Sequence, residues 1–376
     1  MKIADILSFL ESLAHPSLQE SYDNAGLITG ARDWPCTGVL VSLDATEAVV
    51  LEAKQRGCNL VVSHHPIVFG GLKRLNGASY VEKAVIAAIK NDIALYAIHT
   101  NLDNVRHGVN GIIADRLGLT DCSILLPKPG TLRKLFTFVP QAHAAHVRKA
   151  IFAAGGGHIG NYSECSFSAP GTGTFKGGAG TNPFVGRPGA QHSEEELKVE
   201  VLFPAYLEKA IVRAMTAAHP YEEVAYDVVA LENPHPGIGA GIIGSWAAPL
   251  AEKAALERLR QVFGTPAVRH TPLTGQPVGR VAVCGGAGSF LISRALAAGA
   301  QLFVTADVKY HEFFDANPSM GAGQPGMVIA DVGHFESEQF TVDGLIAVLQ
   351  EKFPTFATLK TGVSTNPVHY FLGEGK

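Results

Sequence analysis

The chain has 376 residues, more than one core of ordinary size holds, so two or three domains are expected. Hydrophobic residues make up 47% and charged residues 17%, the composition of a folded rather than a disordered chain. A formal net charge of −4 gives no field that would gather nucleic acid or an anionic membrane surface, so neither is expected as a partner.

Five scattered cysteines (Cys36, Cys58, Cys122, Cys165 and Cys284) form no CxxC pair, which excludes a disulfide framework or zinc ribbon and suits a reducing compartment. No apolar run approaches the roughly 20 residues of a membrane helix. The opening segment Met1–Leu10 carries an acidic residue and no cleavable apolar core, so a cytoplasmic protein is expected. Ile3, Ile6, Leu7, Leu10 and Leu13 share one helical face and predict an amphipathic first helix. Strands are predicted at 38–42, at Leu60-Val61-Val62 and at 93–98, separated by helices at 45–55 and 81–90. That alternation indicates a parallel sheet, whose ligands lie beyond the carboxyl ends of its strands. His64, His65, His99 and Asp103 all fall at such ends.

The texture changes between two breaker clusters, Pro127-Lys-Pro-Gly130 and Asn233-Pro-His-Pro-Gly237. Between them the predicted order is β-α-β(β) and then β-α-β, a split βαβ or ferredoxin-like sandwich. The Gly-rich stretch Gly171–Pro183 is expected to be a loop. Residues 127–236 therefore read as an inserted domain, with 1–126 and 237–376 as two halves of one α/β domain. The halves carry a repeat: Gly38–Ser42 and Gly57–Ser63 match Arg280–Cys284 and Gly299–Thr305 at one constant offset. On that alignment His65 matches Asp307, which would put Asp307 at the pocket rim.

Adjacent imidazoles ending a buried strand, with Pro66 to stop it, are poor packing material and good metal ligands. His334 and Glu338, four apart after a strand at 327–330, would project from one helical face. The set His64, His65, Asp103, His334 and Glu338 exceeds what one catalytic zinc takes. It suits two divalent ions bridged by a carboxylate, either Asp103 or Glu338. Three imidazoles and two carboxylates without a thiolate fit zinc, iron or manganese first, and cobalt or nickel also. His99, Asp307 and His311 are candidates to surround the ions or face a substrate, or simply to hydrogen-bond within the fold. Asp307 and His311 are assigned as proton shuttles. The turn Gly285-Gly-Ala-Gly288-Ser289 lacks a P-loop lysine, and Leu291 stands where a dinucleotide fingerprint needs its third glycine. No G-x-S-x-G elbow supports a serine hydrolase.

The motifs Ser63-His-His-Pro66, His99-Thr-Asn-Leu-Asp103, Val283–Ser289, Thr305–His311 and Asp331–Glu338, with Tyr22-Asp-Asn-Ala-Gly-Leu27, resemble a family named for a yeast transcription-adaptor-interacting factor. Its bacterial members are labelled GTP cyclohydrolase 1 type 2 homologues. Trp and Val are commoner in that family where Tyr22 and Ala25 stand. The resemblance implies a two-metal site on His64, His65, Asp103, His334 and Glu338. It also implies an insert similar to PII and CutA proteins, to which His219–Tyr226 is closest. A trimerising insert and a toroidal homohexamer follow from the same likeness. The function expected is a metal-dependent hydrolase acting on a nucleotide or similar heterocycle such as GTP. The rival is a ring-shaped, non-catalytic metal-binding or regulatory scaffold. DNA binding through the ring has no basic stripe to support it.

Overall fold

The computed structural model describes residues 1–316 and 326–372. The chain divides into two compact units, one of Met1–Leu126 with Gly239–Lys376 and the other of Pro127–Ile238. Among the described residues no helix is long and apolar enough to cross a membrane.

The first unit holds two sheets. In the five-stranded one, Val39–Ser42, Leu60–Ser63 and Ala94–Ala97 run parallel and fully buried, flanked by Gly26–Thr29 (antiparallel) and Thr358–Lys360 (parallel). Continuous burial explains why these strands read as unbroken apolar runs rather than alternating ones. The crossover helices start at side-chain caps: Thr46 accepts from the Val49 N–H, and Ser79 accepts from the Glu82 N–H while its hydroxyl donates to Glu82. The six-stranded sheet has the parallel core Val278–Ala287, Leu302–Ala306 and Val328–Asp331. Arg269–His270 lies antiparallel on one side, and Gly239–Leu250 on the other is followed by Thr120–Pro127.

One core cluster joins both sheets, with Val41, Val62 and Tyr96 from the first and Val281, Val304 and Val328 from the second. Ile3, Leu7, Ile113 and Leu345, from the helices Ile3–Leu13, Val109–Leu117 and Phe340–Lys352, belong to the same cluster. That shared core fixes the carboxyl ends of the two parallel sheets against each other, where Ser63, Ala97, Ala306 and Asp331 hand over to polar loops.

The second unit has the order β-α-β-β-α-β. Its antiparallel sheet runs Phe167–Lys176, Gln191–Pro204, Leu132–Pro140, Tyr226–Ala230, with helices Ala144–Ala153 and Glu208–Ala218. Leu135, Val139, Val199 and Val201 pack with Val147, Ile151, Ile211 and Met215 of the helices. Here the loop expected over the Gly-rich stretch is corrected: its first half belongs to the strand Phe167–Lys176, paired residue for residue with Gln191–Glu200. The ladder needs backbone groups only, and alternate glycines leave it intact.

Candidate metal centre

His64 and His65 follow the end of the strand Leu60–Ser63, just before Pro66, and their rings stand 5.0 Å apart at 47°. Their Nδ1 atoms are both engaged: His64 donates to the Ile98 carbonyl at 2.8 Å, and His65 donates to Asp44 Oδ1 at 2.8 Å. His334 repeats the pattern from the other sheet, with Nδ1 donating to Asp307 Oδ2 at 2.7 Å. His99 does so with Asp23 Oδ1 at 2.8 Å. In each case the Nδ1 bond fixes the ring and leaves Nε2 as the atom available for coordination.

The Nε2 atoms of His64, His65 and His334 converge on Glu338. Its Oε2 lies 2.9 Å from His65 Nε2 and 3.1 Å from His334 Nε2, and these two nitrogens are 3.3 Å apart. Its Oε1 faces the other side, 3.8 Å from His64 Nε2, which is in turn 3.7 Å from Asp103 Oδ1. His64 Nε2, Asp103 Oδ1 and Glu338 Oε2 are buried without a hydrogen bond of good geometry. Orphaned buried acceptors cost folding free energy, of order 1–3 kcal/mol each, unless a cation takes them. Imidazole nitrogens and carboxylate oxygens packed this closely fit a divalent metal. Two ligand groupings, His65/His334/Glu338 and His64/His65/His99, have their donor atoms within 4.8 Å of one another.

The electrostatics agree. Burial alone would raise Glu338, yet the imidazoles of His334, His64 and His65 hold it well below the usual carboxylate range. Burial would lower His65, but Asp44 and Glu338 lift it to about 10 in the metal-free site. His334 is likewise lifted to about 9 by Glu338 and Asp307 against burial. Asp103 is pushed up to about 7, first by burial and then by the Glu338 charge. This is a site that holds protons where it would hold cations.

Backbone shape makes room for the carboxylate. Gly286 sits at φ 61, and a Cβ there would overlap Glu338 Oε1. Gly333 at φ 94 precedes His334, where a Cβ would overlap the Glu336 carboxylate. Asp307 ends the strand Leu302–Ala306 at φ 53, a left-handed conformation that aspartate tolerates and that turns its carboxylate to His334.

Asp307 is placed behind His334 as its orienting partner, one of the places expected for it, around the ions. His311 is not brought to the imidazole cluster: in the helix Tyr310–Ala316 its ring lies against Tyr310 and Phe314. His99 is brought there, with its ring 5.2 Å from His64 and 5.4 Å from His65. Asp23, Asp44 and Thr365 escaped sequence reasoning. Asp23 also accepts from the Thr100 hydroxyl at 2.5 Å, and Thr365 donates to Asp44 Oδ2 at 2.5 Å, so the supports of His99 and His65 are themselves held. The signal for Asp23 lay in the Tyr22-Asp-Asn motif; Asp44 and Thr365 carried none.

Asp307→Asn is expected to weaken metal binding by about 10- to 100-fold while leaving the fold intact, because only the orientation and basicity of His334 change. Competition with a chromophoric chelator measures it; wild-type affinity in the variant would remove Asp307 from the centre.

The profile of the Duf34/NIF3 (NGG1p interacting factor 3) family matches residues 1–367. A Halalkalibacterium halodurans protein named GTP cyclohydrolase 1 type 2 homolog is 37% identical over 374 residues, covering 98% of this chain and 99% of that protein. Among solved structures, a Bacillus cereus protein related to NIF3 aligns with a TM-score of 0.86 at 37% identity, covering 99% of each chain. Staphylococcus aureus protein SA1388 aligns with a TM-score of 0.77 at 28% identity, again over 99% of each.

Proposed function

The chain belongs to the Duf34/NIF3 family, and from that premise we propose that it is a metal-dependent hydrolase with a dinuclear centre, acting on a nucleotide-like substrate. The observation that carries this reading is the division of Glu338: Oε2 toward His65 and His334, Oε1 toward His64 and on to Asp103. A carboxylate shared in this way is what a two-ion site needs. His65 and His334 would hold one ion and His64 and Asp103 the other, with zinc, iron or manganese suited to the donors. When bound, such ions lower the pKa of water and polarise a substrate oxygen. His99 takes the proton-carrying role, since Asp23 holds its Nδ1 and its Nε2 faces the cluster. Relatives named GTP cyclohydrolase 1 type 2 homolog make GTP the first substrate to try.

The same reading takes the chain as two duplicated halves around a PII/CutA-like insert. It is supported by the matching order of parallel strands with an antiparallel edge in both sheets of the first unit. The assembly it expects is a toroidal homohexamer in the cytoplasm.

The test is turnover of GTP and simple phosphoesters by protein loaded with zinc, iron or manganese, beside His64→Ala. Turnover that falls with metal content in the variant is expected. Fully loaded protein that turns over none of them would leave the non-catalytic scaffold as the better account.

A further inference from the structure

The second unit contains a cavity of about 780 Å³, on the sheet face opposite its two helices and far larger than a packing defect. Its floor comes from the strands Phe167–Lys176 and Gln191–Pro204. In their register Gly171 faces Glu196 and Thr172 faces Glu195. Gly171, Gly173 and Phe175 therefore share a face with Glu196 and Lys198. The two glycines carry no side chains over that floor. A Cβ at Gly171 would meet nothing within 4 Å, while one at Gly173 would overlap the Glu196 carboxylate. Glycine within a strand often marks a place where something else approaches closely.

Glu196 is 8% exposed and lines the cavity. Its Oε1 accepts from the Tyr221 hydroxyl at 2.6 Å, and no other described group bonds to its Oε2. That oxygen opens onto the cavity, on a carboxylate whose other oxygen is held by Tyr221, and a cationic donor would meet it there. The walls are aromatic. Phe175 and Phe184 flank Tyr221 at 6.2 and 6.3 Å, tilted by 57° and 49°, and each of the three rings also meets a histidine: His192 at 5.4 Å from Phe175, His143 at 5.3 Å from Phe184 and His219 at 4.9 Å from Tyr221. Phe184, at the mouth, is 51% exposed. Its loop is tied across the opening by the Asn182 N–H, which donates to Glu222 Oε2 at 2.9 Å. Two lysines, Lys176 and Lys198, also line the cavity, and Lys198 is engaged elsewhere, its Nζ 3.1 Å from Glu200 Oε1 and 4.4 Å from the centre of the Phe136 ring.

We infer that this cavity binds a small organic ammonium ion with an apolar or aromatic body. The N–H would donate to Glu196 Oε2, and the body would lie among Phe175, Phe184 and Tyr221. Ring faces attract cations through their quadrupoles, and a desolvated carboxylate adds a charge-assisted hydrogen bond. Neither interaction favours an anion. The site is built wholly from the second unit and does not depend on the metal centre.

The full-length, metal-loaded chain should be titrated calorimetrically with benzylammonium and, in parallel, with benzyl alcohol. Benzylammonium is expected to saturate at one per chain and to bind at least about ten-fold more tightly than the neutral alcohol. Glu196→Gln keeps an acceptor for Tyr221 and should abolish that preference. Phe184→Ala, at an exposed position with little bearing on folding, should weaken both probes several-fold. Lys253→Ala, at an exposed position in the other unit, should leave binding unchanged. Absence of saturable benzylammonium binding, equal affinity for the alcohol, wild-type binding in Glu196→Gln or Phe184→Ala, or loss of binding in Lys253→Ala would each overturn the assignment.

Discussion

Glu338→Gln is expected to lower the metal content of the purified protein from about two ions per chain to nearly none, the largest single effect on the centre. The carboxylate is 3% exposed and stands between the two groups of imidazoles, so both depend on its charge. An amide oxygen is a weaker donor than a carboxylate, and its NH2 end would turn a donor toward one set of nitrogens. Two controls give the result its meaning. Asp103→Asn touches only the His64 side, and His334→Ala only the His65 side. Each should lose about one ion, and the double variant both. Elemental analysis after purification without added chelator reads all four proteins. A Glu338→Gln protein that keeps one ion per chain would show that the carboxylate serves a single metal and that the bridging geometry is wrong.

The candidate ligands that the fold gathers were legible because each lies in a local pattern with a physical meaning. Paired histidines end a fully buried strand, a histidine and a glutamate stand one helical turn apart, and an aspartate follows four residues after His99. Of the groups that aim them, Asp307 was legible through the repeat, but Asp44 and Thr365 were not. Asp44 reaches His65 from a loop after another strand, and Thr365 reaches Asp44 from the far end of the chain. No period or spacing encodes a contact made by a tertiary fold. The same holds for the edge strand Thr358–Lys360, which pairs with Val39–Val41 across almost the whole sequence. The Gly-rich stretch failed for a different reason. Its alternation, Gly171-Thr-Gly-Thr-Phe175, does have the strand period, but glycine composition argues for a loop when side-chain packing is assumed to be what holds a strand. Here the face that lacks side chains borders a cavity, so there was no packing to lose.

Metal uptake should strengthen steeply as pH rises, and the stability of the metal-free protein should move the opposite way. In the metal-free centre His65 is raised to about 10 and His334 to about 9 because Glu338, Asp44 and Asp307 outweigh burial. At pH 7 both rings hold a proton on the nitrogen that a metal needs. Loading then expels up to about two protons, and apparent affinity can climb by as much as ~100-fold per pH unit until the lower of the two values is reached. For the metal-free fold the sign is reversed. A histidine raised above its ordinary 6.5 contributes stability that is fully present below that value and is lost as pH climbs through the folded value. Chelator-treated protein should therefore lose thermal stability from pH 6.5 toward 9, while protein in excess zinc gains it, since tighter binding stabilises the folded state further. Thermal midpoints of the two forms across that range, with calorimetric zinc titrations in buffers of different ionisation enthalpy to count released protons, measure both halves. If zinc binds at pH 7 without releasing a proton, the imidazoles are already neutral, and the ion-paired arrangement around Glu338 is not the state from which the metal is taken up.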